Sequence, residues 1–183
     1  MYLKSLDKCC LRIGSYPPFD YDATSGGGPA FVCLKEQAKI KHLRVDSSTF
    51  LIPPLTWRNT RFLSLPIPPG LKIEMLMDKL EGTLDLATGE ISLDFESRFV
   101  FSIFSIFSFP NLHVKTSLVT GKVTSKYFEE EGIVISGNGR VKLVGIAVVP
   151  ATGSQLLDVF LGLSLIHISE PTRPERIGIC VVW

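Results

Sequence analysis

Neither sign of charge is in excess. Lys and Arg total 19, Asp and Glu total 18, and the net charge over 183 residues is +1. That balance gives no overall electrostatic footprint for nucleic acid, for an acidic membrane surface or for a strongly charged substrate. Histidine is rarer, with 3 residues, and the 4 cysteines are Cys9, Cys10, Cys33 and Cys180. Adjacent Cys9 and Cys10 make no CxxC pair, and no ligand spacing completes a metal set around them. Reduced, structurally idle thiols are therefore expected, without disulfide scaffolding. Long apolar runs are missing too. "FVFSIFSIFSF", Phe99 to Phe109, is far short of the roughly 20 apolar residues a helix needs to span a bilayer. At the N-terminus, Lys4, Asp7, Lys8 and Arg12 interrupt any signal-peptide core. A cytoplasmic or organellar location is the expectation.

What is present suits a globular chain. Apolar residues make up 45% and charged residues 20%, too apolar for disorder and enough for one soluble domain with a sizeable core.

The final stretch fits nothing before it. "LSLIHISEPTR", Leu163 to Arg173, resembles the translation of a transposon-based sequencing-library adapter, residue for residue in one reading frame. Pro171, Pro174 and the charged stretch Glu170 to Arg176 continue no upstream periodicity. Residues 163–183 are therefore read as non-native, with the junction near Gly162 and the native C-terminal part missing. His167, Glu170, Cys180 and Trp183 leave every site argument, while the net charge of the remainder is unchanged.

Upstream, Met1 to Phe31 carries Pro17, Pro18, Gly26-Gly27-Gly28 and Pro29, which reads as a loop-rich segment or a flexible leader over residues 1–30. "FVCLKEQAKIKHLRVD", Phe31 to Asp46, fits a strand or a short helix. Pro53, Pro54, Pro66, Pro68 and Pro69 then argue for extended edge segments joined by turns. From Leu80 the alternation is clear. Leu80, Gly82, Leu84 and Leu86 share one face, and after a turn containing Gly89 so do Ile91, Leu93, Phe95, Ser97, Phe99 and Phe101. Ser102, Ser105 and Ser108 break the phase, which predicts a bulge or a second short element. Alternation resumes at Leu112, and Gly137-Asn138-Gly139 signals another hairpin. The strand after it, Leu143 to Val149, is apolar on both faces and so central. The expected fold is mainly β: five to seven strands in an antiparallel sandwich or partly closed barrel, residues 31–162, with a candidate short helix begun by "GSQLLDVFLGL".

No catalytic or metal constellation stands out. His113 and His42 read as surface residues, and Asp85, Glu90, Asp94 and Glu96 as a solvated face. "SGNG", Ser136 to Gly139, lacks the order of a nucleophile elbow. The sequence therefore leans away from an enzyme and implies no cofactor. Its excess is aromatic: Phe95, Phe99, Phe101, Phe104 and Phe107 crowd one short stretch, with Phe109 following. Core packing explains this most simply. The sharper reading is a cavity for a small apolar ligand (a lipid, isoprenoid or pigment) lined by those five rings. The alternative is a protein-interaction or structural module using the proline-rich segment 53–69 or an exposed sheet edge. Neither nucleic acid nor a transmembrane span is expected.

Overall fold

A computed structural model describes residues 1–13, 18–33, 39–104, 106–125, 128–149 and 175–182. Its strands, in chain order, begin with β1 (Tyr2–Lys4), β2 (Cys9–Ile13), β3 (Phe19–Tyr21), β4 (Gly27–Cys33) and β5 (Ile40–Val45). A short hairpin of β6 (Thr60–Phe62) and β7 (Leu65–Pro66) precedes the long pair β8 (Leu71–Asp85) and β9 (Ile91–Ile103). Then come β10 (Phe107–Ser108), β11 (Leu112–Val119), β12 (Lys122–Thr124), β13 (Glu129–Glu131), β14 (Lys142–Val149) and β15 (Glu175–Val182).

The main sheet is antiparallel, in the order β1-β4-β5-β8-β9-β11-β14-β15-β2-β3-β6-β7, and β12 with β13 form a separate ribbon. No ladder joins β1 to β7 among the described residues. One hydrophobic cluster nonetheless draws on β2, β3, β4, β5, β8, β9, β11 and β14 together with Phe50 and Leu55. The segment after β5 crosses the sheet to reach this core, with Leu51 bridging to Gly27 and Leu55 to Ile73.

The β8–β9 hairpin is the frame, and its alternation is what places the site. Ile91, Leu93, Phe95, Ser97, Phe99 and Phe101 are all buried, while Ser92 and Asp94 are exposed. Leu80 lies opposite Phe95 and Leu84 opposite Ile91. A register shift between Met77 and Lys79 turns Asp78 outward. There its two carboxylate oxygens each accept from Arg98 Nε at 3.0 Å. The phase break after Phe101 is a tight reversal: Phe104 has φ 52° and β10 folds back to pair Phe107 with Ile103.

Three sequence expectations change. Residues 1–30 supply four strands where the glycines and prolines suggested a flexible leader. Gly26, Gly27 and Gly28 are buried, and a Cβ on Gly27 (φ 139°) would lie 2.3 Å from the Leu3 carbonyl oxygen. Gly27 serves the close approach of β1 to β4, and Gly26 and Gly28 admit the main chain of Leu51 and Thr49, rather than flexibility. The strands outnumber the five to seven expected, because pieces of two or three residues are too short to show alternation. Both arms of the ambiguous segment 31–46 are strands, with residues 34–38 outside the described set. The candidate helix at 153–163 also lies outside the described residues.

The tail has a definite place. β15 pairs with all eight residues of β14, from Lys142 opposite Val182 to Val149 opposite Glu175, and with four residues of β2. Main-chain ladders are nearly indifferent to sequence. The β-branched residues Ile177, Ile179, Val181 and Val182 suit a slot between two strands, whatever the origin of the segment.

Candidate functional site

The five phenylalanines do not converge on one cavity. Phe95, Phe99 and Phe101 point into the core at 8%, 2% and 2% exposure, whereas Phe104 stands 67% exposed. The backbone of Phe107 is placed in β10, and its side chain lies outside the described set. Phe95 and Phe99, with Leu11, Tyr21, Phe50, Leu55, Met75, Leu80 and Leu118, line an internal apolar cavity of about 60 Å³. Small-molecule sites occupy roughly 300–1,000 Å³. The rings thus largely fill the space they border.

Polar atoms at that cavity are held. Burial pushes the Cys10 thiol up, against the nearby Arg12 cation, so it stays protonated and a weak nucleophile. The Cys9 thiol donates to the Leu6 carbonyl at 3.5 Å. The buried Tyr21 hydroxyl donates to the Pro53 carbonyl, fastening the β5–β6 crossing to β3. Burial, helped by Cys9 and Asp22, pushes the Tyr21 phenol well above its ordinary value. The unfolded chain therefore releases this proton first, once pH passes about 10. The stabilisation is complete below that pH and declines above it, by up to about 1.4 kcal/mol per pH unit. Tyr21→Phe is expected to cost about 1–3 kcal/mol near neutrality by stranding the Pro53 carbonyl. The variant should also lose the extra alkaline slope. Urea unfolding followed from about pH 8 to 11 reads both effects; equal stability at neutral pH would contradict the bond.

A larger apolar space lies at the other end of the core. A groove of about 390 Å³ runs between the N-terminal strand and the ends of β5, β8 and β9. Leu3 and Leu6 form one wall, Leu43, Leu84, Ile91 and Leu93 the floor, and Ile135 with Val141 the far wall. Lys4 and Arg140 are the charged side chains in its lining, and no carboxylate lines it. Neither cation is in an ion pair among the described residues. The loop carrying Arg140 is shaped by the predicted Asn-Gly turn. Gly139 takes φ 78°, its N–H donates to the Ser136 carbonyl at 2.8 Å, and Ser136 N–H donates to the Arg140 carbonyl at 2.9 Å.

The outer face uses its charges internally. Glu96 pairs with Lys115 at 2.9 Å, Asp94 accepts from the Ser117 hydroxyl at 3.0 Å, and Lys79 pairs with Glu81 at 2.9 Å. Asp85 accepts from the Ala87 N–H at 2.7 Å and so shapes the β8–β9 turn. His42 and His113 are exposed on β5 and β11. No group of three or more His, Cys, Asp or Glu among the described residues could hold a metal ion. A polar hollow of about 490 Å³ spans β4, β5 and β8 beside Arg44, Asp46, Asp78, Lys79 and Glu81. Its acids are committed to Arg98, Lys79 and the Ser48 turn.

Sequence reasoning missed the groove because its walls come from residues 3–6 and 135–141, which only the sheet order brings together. The sole local signal was the Asn-Gly turn.

Fold and site together define a β-sheet-dominated domain without a catalytic motif among its described residues. Comparison with family models, with curated proteins and with solved structures finds no match. No helix of the described residues is long and apolar enough to cross a membrane.

Proposed function

We propose that this chain is a non-catalytic β domain that binds an apolar ligand carrying an anionic head. The observation that carries this reading is the groove beneath β1: about 390 Å³, apolar walls, and Lys4 and Arg140 without a carboxylate in the lining. That volume lies within the roughly 300–1,000 Å³ range of small-molecule sites, unlike the hollow beside Phe95 and Phe99. Apolar walls supply the affinity through buried area, and the two cations orient one charged end toward solvent. A fatty acid or an isoprenoid acid has this chemistry. The phenylalanines of β9 then have the indirect role of holding β8 and β9 rigid under the groove floor.

Displacement of a fluorescent fatty acid tests the reading. Arg140→Glu removes a cation from an exposed loop in which the turn bonds of Arg140 run through its backbone, so the fold should be retained. The variant is expected to bind the anionic probe about tenfold more weakly, while the corresponding neutral alcohol binds unchanged. Equal loss for both probes, or no binding to the parent chain, would contradict the reading.

A further inference from the structure

The end of the β8–β9 ladder opposite the groove carries apolar side chains that are largely exposed among the described residues. In the β6–β7 hairpin, Leu63 of the turn and Leu65 at the start of β7 are 63% and 68% exposed; in the β9–β10 turn, Phe104 and Ile106 are 67% and 78% exposed. The β9–β10 turn packs against the chain leading from β7 to β8. Phe104 N–H donates to the Gly70 carbonyl at 2.8 Å, and a Cβ on Gly70 would meet the Phe104 ring at 2.5 Å. Gly70 lies five residues after Leu65, so at most about 18 Å of extended chain separates the two tips.

The backbone at these tips is costly as well. Leu63, Ser64 and Phe104 take φ of 52°, 64° and 52°, the left-handed region that bulky residues avoid and glycine or asparagine tolerates. Strain together with apolar exposure brings the isolated fold no benefit. Such conformations concentrate at active sites, ligand clamps and switch regions.

The charge pattern selects the partner. No Asp or Glu occurs from Ser47 to Ile73 or from Ser97 to Phe128. Arg58 and Arg61 are exposed and form no ion pair among the described residues. Arg58 stacks on the half-exposed Trp57, 5.3 Å from the ring centroid, and Arg61 Nη1 donates to the Trp57 carbonyl at 3.1 Å. Protruding apolar tips, together with an indole and two guanidinium groups that no carboxylate pairs among the described residues, match a lipid interface. Aliphatic groups enter the acyl boundary, and the indole and cations sit at headgroup level. The chain's net charge of +1 conceals this local asymmetry.

We infer that this end docks on the surface of an anionic lipid bilayer, inserting Leu63, Leu65, Phe104 and Ile106 while Arg58 and Arg61 contact the headgroups. The test is sedimentation of the full chain with vesicles of phosphatidylcholine alone or mixed with phosphatidylserine. The parent chain should partition to the mixed vesicles, and added salt should weaken that binding. Leu63→Asn with Phe104→Asn suits the left-handed backbone, so the variant should fold at least as well while its partition falls roughly tenfold or more. Arg58→Gln with Arg61→Gln should erase most of the preference for phosphatidylserine, about fivefold per cation. Arg140→Glu should leave vesicle binding unchanged, which separates this surface from the groove.

Absence of vesicle binding would overturn the inference, as would equal binding to both vesicle types or insensitivity to the asparagine changes. If the chain instead self-associates in solution and the asparagine changes abolish that association, the tips are a protein interface and the bilayer inference is likewise overturned.

Discussion

Gly82→Ala is expected to lower the unfolding free energy by about 2–3 kcal/mol, a large effect for one methyl group. A Cβ at Gly82 would lie 2.0 Å from the Ser92 carbonyl oxygen and 2.8 Å from Leu93 Cα. Both are main-chain atoms of the partner strand, so no side-chain rotation relieves the clash. Gly82 also faces Leu43 across the β5–β8 ladder, so β8 cannot shift without disturbing its other neighbour. Either the β8–β9 ladder opens there, or the sheet loses the coil that wraps its inner face around the core. Gly121→Ala is the control, because nothing lies within 4 Å of its Cβ position. That variant should stay within about 0.5 kcal/mol of the parent. Urea unfolding of the three proteins decides the matter. A Gly82→Ala protein as stable as the control would show that the two strands do not approach so closely.

Phe99→Ala is expected to cost more, about 3–5 kcal/mol. Phe99 is 2% exposed, lies opposite Met75 on one side and Leu112 on the other, and borders the internal cavity. Removing the ring deletes its contacts and joins its volume to the existing hollow of about 60 Å³. Enlarged apolar cavities of about 150 Å³ stay dry and accept benzene or xenon. Benzene should accordingly raise the melting temperature of Phe99→Ala and leave the parent protein unchanged. If benzene stabilises the parent equally, the wild-type hollow is larger than the packing of Phe95 and Phe99 implies. If Phe99→Ala costs under about 1 kcal/mol, the ring is not part of a close-packed core.

The long hairpin was legible because period-2 alternation persists over many residues. Ile91 through Phe101 needed no tertiary information to be assigned an inner face. β14 was legible as a strand from its unbroken apolar run, and it lies between β11 and β15, with Leu143 and Ala147 buried and Val148 51% exposed. The short strands β1, β3, β6 and β7 were not, since two or three residues cannot establish a period and their pairing depends on distant partners. Gly26, Gly27 and Gly28 misled for a physical reason. Absence of Cβ serves a loose loop and a close main-chain approach equally, and only the positions of Leu3, Thr49 and Leu51 decide between them. The aromatic excess was legible as core, but not as separate inward rings and outward tips, because the reversal at Phe104 cannot be seen in the spacing of the phenylalanines. The groove was illegible in any single segment.

Residues 163–173 stand apart. We propose that they are translated adapter sequence. Sequencing the locus by an adapter-free method should show a frame that departs near Gly162; an unchanged frame would make β15 a genuine part of the sheet.

Photolabelling tests the central claim most directly, since it reads the location of a bound chain. A fatty acid carrying a photoactivatable diazirine is incubated with the protein below its micellar concentration, irradiated, and the labelled peptides are mapped. The groove account expects labels in residues 1–6 and 135–141 and beside Leu84 and Ile91, reduced by unlabelled fatty acid and by Arg140→Glu. Labels confined to other surfaces, or labelling that neither competition nor Arg140→Glu diminishes, would contradict it.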